Sequence, residues 1–392
     1  MNNLKSVLPQ LQTDRFASLV RGALWQKEPE ASLFQGMTSS EWEQIFRLSE
    51  EQALSAFLYD SIIALPDDLQ PPRKILLQFF AYTLRTEQSN QVLSQRIREL
   101  DQELKGLGLP YILLKGHSNA ALYPVPEHRT PGDIDLFFVH SRDYQRANEY
   151  AQQQGYRMDA PNVHHRSYQY KDVHVENHHT PAYFGFGKYD RLFQKRLNQA
   201  LEGCHGVLPT FTLPEEINTA TDRQPLNVAM LPATFNAYFI FEHLFHHFIE
   251  LGIGLRQVCD WVLHCHKRHN EIDREELKAI AQEFDHLYAM TILATLAVDY
   301  LGADPSVFPF DTQTYKGHPH VQLMWEEILL GGNFGYNLFK KRKFASKLHR
   351  KWVSYLYTVQ RMNRIKPLAP KHISPLPWLK VLRNIKLLFL KE

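Results

Sequence analysis

The sequence predicts an α+β protein in which a small mixed sheet, with helices on one side, is flanked by N- and C-terminal helical regions. Three observations predict it. Apolar residues recur at helical spacing before Leu107 and again between Leu226 and Glu327. Between these stretches the period changes to short continuous or alternating apolar runs, which read as strands. Finally, 392 residues with 44% apolar and 22% charged side chains suit a globular chain with two or three cores. The expected regions are a helical part over 1–107, a sheet-bearing core over 108–225, a helical domain over 226–327 and a basic helical tail over 328–392.

In the first region Leu93, Ile97, Leu100, Leu104 and Leu107 fall on one stripe of a long helix that begins near Leu84. Gly106 and Gly108 stop it, and Pro66, Pro71 and Pro72 mark an earlier break. Pro110-Tyr-Ile-Leu-Leu114 then reads as a buried strand ending in Lys115-Gly116-His117-Ser118, and Asn119 to Tyr123 as a short helix that Pro124 and Pro126 terminate. A strand running through glycine into a helix presents backbone N–H groups where phosphate binds well, and Lys115 adds a charge. Gly116 would equally serve a plain tight turn.

The stretch Arg129-Thr-Pro-Gly132-Asp133-Ile-Asp135-Leu-Phe-Phe-Val139 places two acids on one face of a strand, their Cβ atoms roughly 6.5 to 7 Å apart. Like charges so placed repel unless a cation lies between them, and two Mg²⁺ ions at about 3.5 to 4 Å separation fit the span. A strand-end turn with solvated acids has the same pattern. Ser141 is placed to cap a helix reaching about Gln154, closed by Gly155. Strands follow over Ser167–Tyr170 and Asp172–Asn177, and alternation in the second puts His174, Glu176 and His178 on one face. Glu176 is the candidate third carboxylate and Asp172 its rival, although a polar edge strand would alternate in the same way.

Pro232 suits the first turn of a helix reaching Glu250 that carries Glu242, His243, His246 and His247. The i, i+4 spacing of His243 and His247 occurs in metalloenzymes, but the order is not H-E-x-x-H, and packed helix histidines are the simpler reading. Arg256 and Asp260, also i, i+4, can pair on one helix face.

Lys5, Asp14, Arg15 and Arg21 cut the first apolar runs, and no run of about eighteen uncharged apolar residues occurs, so a cytoplasmic chain without a transmembrane segment is expected. Cys204, Cys259 and Cys265 lack C-x-x-C spacing and read as reduced packing residues. The net charge of +2 hides an asymmetry: between Ile328 and Lys391 there are 15 Lys and Arg and no acid, on an acidic body. Such a tail folds back on the body or meets an anionic partner such as nucleic acid, a lipid surface or a phosphorylated carrier. Lys340-Lys-Arg-Lys343, Lys347, Arg350 and Lys351 interleave with aromatics, and the stripe Phe344, Leu348, Trp352, Tyr355 is expected to pack on the body. The run Trp378 to Leu390 reads as an amphipathic helix.

Leu113-Leu-Lys115-Gly116, Arg129-x-x-Gly132-Asp133-Ile-Asp135-Leu and Val175-Glu176-x-His178, in this order, resemble the polymerase-β-type nucleotidyltransferase superfamily. More narrowly they are similar to the bacterial nucleotidyltransferase family 5. The resemblance runs on through His246-His247 and Gly254-Leu-Arg256-Gln-x-x-Asp260-Trp261 to Gly331-Gly-Asn-Phe334-Gly335, over roughly residues 75 to 340. It departs after the first strand, where the superfamily usually has Gly-Ser or Gly-Gly and this chain has Gly116-His117-Ser118. It implies a nucleotidyltransferase sheet and transfer of a nucleoside monophosphate from an NTP, ATP among them, to an acceptor hydroxyl. Asp133, Asp135 and Glu176 would be the catalytic ligands of Mg²⁺ or Mn²⁺, and Glu176 could take the acceptor's proton. Lys115, Gly116, His117, Ser118, Arg129, Gly132, Arg256 and Asp260 would bind the nucleotide, with Arg129's planar fork the strongest claimant for phosphate. The Arg256 and Asp260 face either closes over the nucleotide or is structural. A non-catalytic nucleotide- or RNA-binding protein and a phosphotransferase are the alternatives on the same fold, and three acids around one phosphate speak against the first.

Overall fold

The computed structural model describes residues 9–160, 162–213, 225–333 and 346–376. Phe334, Gly335, the basic cluster at 340–343, Phe344 and the 378–390 run lie outside them, as do the side chains of Leu348 and Trp352. Helices α1 (Gln10–Trp25), α2 (Ser39–Glu51), α3 (Ser55–Ile63) and α4 (Arg73–Gly106) precede the sheet. A capping box between Thr38 and Glu41 starts α2. The long helix starts at Arg73, ahead of the expected Leu84, because Pro72 sits at its N-cap, where a missing N–H costs nothing. Its halves do different work. Ile75 and Phe79 join the helical core, while Leu93, Ile97, Leu100 and Leu104 cover the sheet.

The sheet comprises β1 (Ile112–Leu114), β2 (Ile134–Phe137), β3 (Arg157–Met158), β4 (His165–Tyr170) and β5 (Val173–His178), in the order β1-β2-β5-β4-β3. It is mixed, because β2 and β5 run parallel and the other neighbours antiparallel. Leu113, Ile134, Leu136, Tyr168, Tyr170, Val173 and Val175 point to one face and pack under α4 and α6 (Ser141–Gln153). The other face carries the acids. The registers set Asp135 beside Glu176 and His165 beside His178. Ser141 is the first residue of α6 and its hydroxyl caps nothing, since backbone N–H groups of Asp143 and Tyr144 reach the His140 carbonyl.

Beyond the sheet lie α7 (Gly187–Glu202), a hairpin of β6 (Thr210–Thr212) and β7 (Asn227–Ala229), and then α8 (Ala233–Glu250), α9 (Leu255–Lys267), α10 (Arg274–Glu283), α11 (Leu287–Leu301) and α12 (Pro319–Gly331). One apolar core unites α1–α3 with α8–α12, so the helical regions before and after the sheet close on each other in space. Gly254 makes that closure possible, because a Cβ there would meet the Gln52 carbonyl oxygen at 2.9 Å. Gln52 Oε1 in turn accepts from Leu255 N at 2.8 Å, fixing the start of α9. In the tail, α13 (Lys347–Ile365) buries Met362 and Ile365 in the same core, and α14 (Pro370–Ile373) adds Ile373. Arg361, buried among them, donates to Glu327 at 2.7 Å and to the carbonyls of Ile249 and Phe248. Two of the last carbonyls of α8, which no intrahelical N–H can reach, are thereby satisfied. Among the described residues no helix is long and apolar enough to cross a membrane.

Candidate active site

Lys115 leaves β1 with φ of 43°, a left-handed conformation costing about 1–3 kcal/mol for a non-glycine residue. Gly116 follows with φ of 44° and packs against the backbone of Asp133, whose carbonyl oxygen a Cβ would touch at 3.4 Å. This turn opens the short helix α5, which runs over Gly116–Ala120 in our structure rather than from Asn119, and it aims the Lys115 side chain at the acids. Lys115 Nζ is 3.1 Å from Asp135 Oδ1.

Asp135 is buried and accepts from His178 Nε2 at 2.9 Å. The same nitrogen lies 3.3 Å from Glu176 Oε2, and His165 Nε2 lies 3.5 Å from Glu176 Oε1. One donor atom each from Asp135, Glu176 and His178 falls within 4.8 Å of the others, a cluster sized for a metal ion. Asp133 stands outside that group, exposed at the mouth. Burial works against the Asp135 charge, but Lys115 and the His178 hydrogen bond outweigh it and hold the carboxyl below its ordinary value. Asp133 goes the other way, raised by desolvation and by the charges of Asp135 and Glu176. His178 is raised, because its bonds to Asp135 and Glu176 overcome burial.

These groups face α8 across a cleft of about 740 Å³, whose far wall presents Glu242, His243, His246 and His247. The rings of His243 and His247 meet edge to face at 4.7 Å. Burial holds His243 well below the usual imidazole range and lowers His247 to about 3. Glu242 is buried, and desolvation pushes its carboxyl up to about 8. A carboxyl whose folded value is raised contributes stability below its ordinary value of 4.5, and this is lost as pH rises towards about 8. Urea unfolding should therefore show Glu242→Gln gaining on the wild type between pH 5 and pH 8, at ~1.4 kcal/mol per pH unit at most. A constant difference across that window would mean that Glu242 is already ionised at pH 5.

A smaller cavity of about 130 Å³ adjoins the cleft and shares Lys115, Asp133, Asp135 and His243 with it. Gly116, Gly132, Asn119, Arg129, Arg256 and Asp260 also line it. Arg129 grips Asp260 with two hydrogen bonds of 2.8 Å, and the Tyr123 hydroxyl donates to the same carboxylate at 2.8 Å. The expected helical pairing of Arg256 with Asp260 is corrected here. Asp260 is taken by the planar fork of Arg129, and Arg256 Nη1 instead donates to the Thr130 carbonyl at 2.6 Å. His117 and Ser118 line neither cavity. His117 is buried against the Ser94 hydroxyl of α4 at 3.0 Å, with burial lowering its ring to about 4, and the Ser118 hydroxyl bonds back to the Lys115 carbonyl at 2.6 Å. The rival acid Asp172 sits in the β4–β5 turn, held by Arg96 of α4 at 2.6 and 3.1 Å. Asn119, buried with an Oδ1 unpartnered among the described residues, is one of the lining residues that sequence reasoning passed over, with His164 and His165, and the position of Asn119 three residues after Gly116 was the available signal.

No curated protein and no solved structure matches the chain. A family model described as an uncharacterised nucleotidyltransferase matches residues 38–302, well over half of the sequence, and the chain belongs to that nucleotidyltransferase family.

Proposed function

We propose that the protein is a metal-dependent nucleotidyltransferase that moves a nucleoside monophosphate from an NTP to an acceptor hydroxyl. The observation that carries this reading is the parallel β2–β5 register, which sets Asp135 beside Glu176 on the sheet face that lines the cleft, with Asp133 at the mouth. The donor set fits a divalent ion, since two carboxylates converge and Asp133 is disfavoured as an anion by its neighbours' charge. Asp133, Asp135 and Glu176 would hold Mg²⁺ or Mn²⁺, which when bound would neutralise phosphate charge and acidify the acceptor hydroxyl.

The chain's own groups supply the rest. In the transfer, the acceptor oxygen forms a bond to the α-phosphorus, the bond to the β-bridging oxygen breaks, and pyrophosphate leaves. Glu176 takes the acceptor's proton, oriented by His165 and His178 at 3.5 and 3.3 Å. Lys115 supplies the positive charge for the leaving pyrophosphate. Gly116, Gly132 and Asn119 shape the small cavity for phosphate oxygens. Arg129 and Asp260, locked to each other, act as positioning residues that hold Arg256 and the Thr130–Gly132 backbone in place. An anionic acceptor, nucleic acid or a phosphorylated carrier, suits the 15 basic residues after Ile328.

The test is incubation with each NTP labelled at the α- or the γ-phosphate, in Mg²⁺ or Mn²⁺, with candidate acceptors. Label from the α position should move, and Glu176→Gln should lose most turnover while still binding nucleotide. Transfer from the γ position alone would make the protein a phosphotransferase, and no transfer by a protein that binds NTP would leave a binding module.

A further inference from the structure

Three imidazoles meet on the cleft side of the sheet; His164 has no role above, and His165 and His178 serve there only to orient Glu176. His165 is the register partner of His178 across β4 and β5, and their ring centroids are 5.1 Å apart. The His164 ring lies edge-on to His165 at 4.4 Å and 5.7 Å from His178. One nitrogen from each ring lies within 4.8 Å of the other two. Zn–N bonds of about 2.0–2.1 Å place tetrahedral ligands roughly 3.3 Å apart, so small rotations of the rings would close the set on one ion.

The hydrogen bonding of these rings leaves several nitrogens unused at one place. One unused nitrogen is common here, since His264 in the helical core sets Nε2 on a carbonyl oxygen at 3.0 Å and leaves its Nδ1 without a partner among the described residues; the cluster differs in bringing three such nitrogens together. Nδ1 of His164, His165 and His178 is buried without a hydrogen-bond partner among the described residues, and neither nitrogen of His164 has one there. Buried polar groups are normally satisfied, and three unsatisfied neighbours in one place point to a ligand. The carboxylates of Asp135 and Glu176 contact two of the rings, the pattern by which acids orient ligating imidazoles. All three histidines line the 740 Å³ cleft, which leaves the remaining coordination position open to solutes. Three imidazoles with an open position mark a reactive rather than a closed structural zinc site, and nitrogen donors select zinc-class metals over Mg²⁺.

We propose that His164, His165 and His178 bind one zinc-class transition-metal ion beside the carboxylates, a site separate in donor type from the oxygen-ligated one and independent of the transferase reading. The full chain, stripped with a chelator, should bind Co²⁺ alone in calorimetry and develop visible ligand-field absorption that Zn²⁺ abolishes and Mg²⁺ does not. His164→Ala and His165→Ala should each weaken Co²⁺ binding by about tenfold or more, with melting temperatures confirming that the variants are folded. His164 precedes the strand and is only half-buried, so its variant serves if the other does not fold. Asp133→Asn should keep its Co²⁺ affinity while losing Mg²⁺-dependent NTP binding. The proposal is overturned if the wild type takes up neither Co²⁺ nor Zn²⁺, or if Asp133→Asn weakens Co²⁺ binding and His164→Ala does not. Loss of label transfer by a protein that still binds Co²⁺ would count against the transferase reading alone.

Discussion

Arg129→Met should destabilise the protein by about 3–5 kcal/mol, the cost of breaking a buried ion pair from one side. Arg129 and Asp260 are both buried, with 2.8 Å bonds at each end of the guanidinium fork. Without the arginine, Asp260 would keep, among the described residues, the Tyr123 hydrogen bond and a buried charge with no ion-pair partner in hydrogen-bond contact. Urea unfolding at pH 7 measures the loss, and Arg129→Met combined with Asp260→Leu should recover a large part of it. A small loss of stability with a large loss of nucleotide affinity would instead return Arg129 to the phosphate-gripping role expected from the sequence.

Asp133→Asn and Asp135→Asn should both abolish Mg²⁺-dependent NTP binding in calorimetry, yet move stability in opposite directions. Spacing alone treats the two acids as equal partners in repulsion, so that neutralising either would relieve strain. The structure separates them. Asp135 is held below its ordinary value by Lys115 and His178, so its charge contributes stability above about pH 3.9, lost as pH falls through the lower folded value. Asp135→Asn should be less stable than the wild type at pH 7, with the gap closing in acid. Asp133 is raised, so its charge costs stability above that same reference, and Asp133→Asn should match or exceed the wild type at pH 7. Unchanged Mg²⁺-NTP affinity in the double variant would remove the carboxylates from the site.

What could be read in advance was whatever a strand's period of two dictates. Alternation in Val173–His178 separates Glu176 from the apolar side chains, and alternation in Ile134–Phe137 does the same for Asp135, while Asp133 lies just before that strand, so the common face of Asp135 and Glu176 follows once the strands are neighbours. The stripe on α4 likewise announces a helix with a sheet to cover. Pairings made across long separations were not legible. Asp260 chose Arg129, 131 positions away, over Arg256 on its own helix, because only the closed fold brings the fork into bidentate reach. Nor could spacing show that His117 faces α4, which depends on the left-handed turn at Lys115. The convergence of His164, His165 and His178 needed the register of β4 against β5, and β4 begins at His165 rather than at Ser167.

Arg361 links the far wall of the cleft to the order in which the chain is made. The carbonyl of Ile249 at the end of α8 waits for a guanidinium 112 positions downstream. During synthesis the sheet and its acids can leave the ribosome and pair long before that arginine exists, with the end of the histidine-bearing helix still fraying into water. Translation interrupted after α12 would release a chain holding Lys115, Asp133, Asp135 and Glu176 but not the group that secures the end of α8. A chain lacking Arg361 should therefore be cut by proteases at the end of α8 more readily than the full chain.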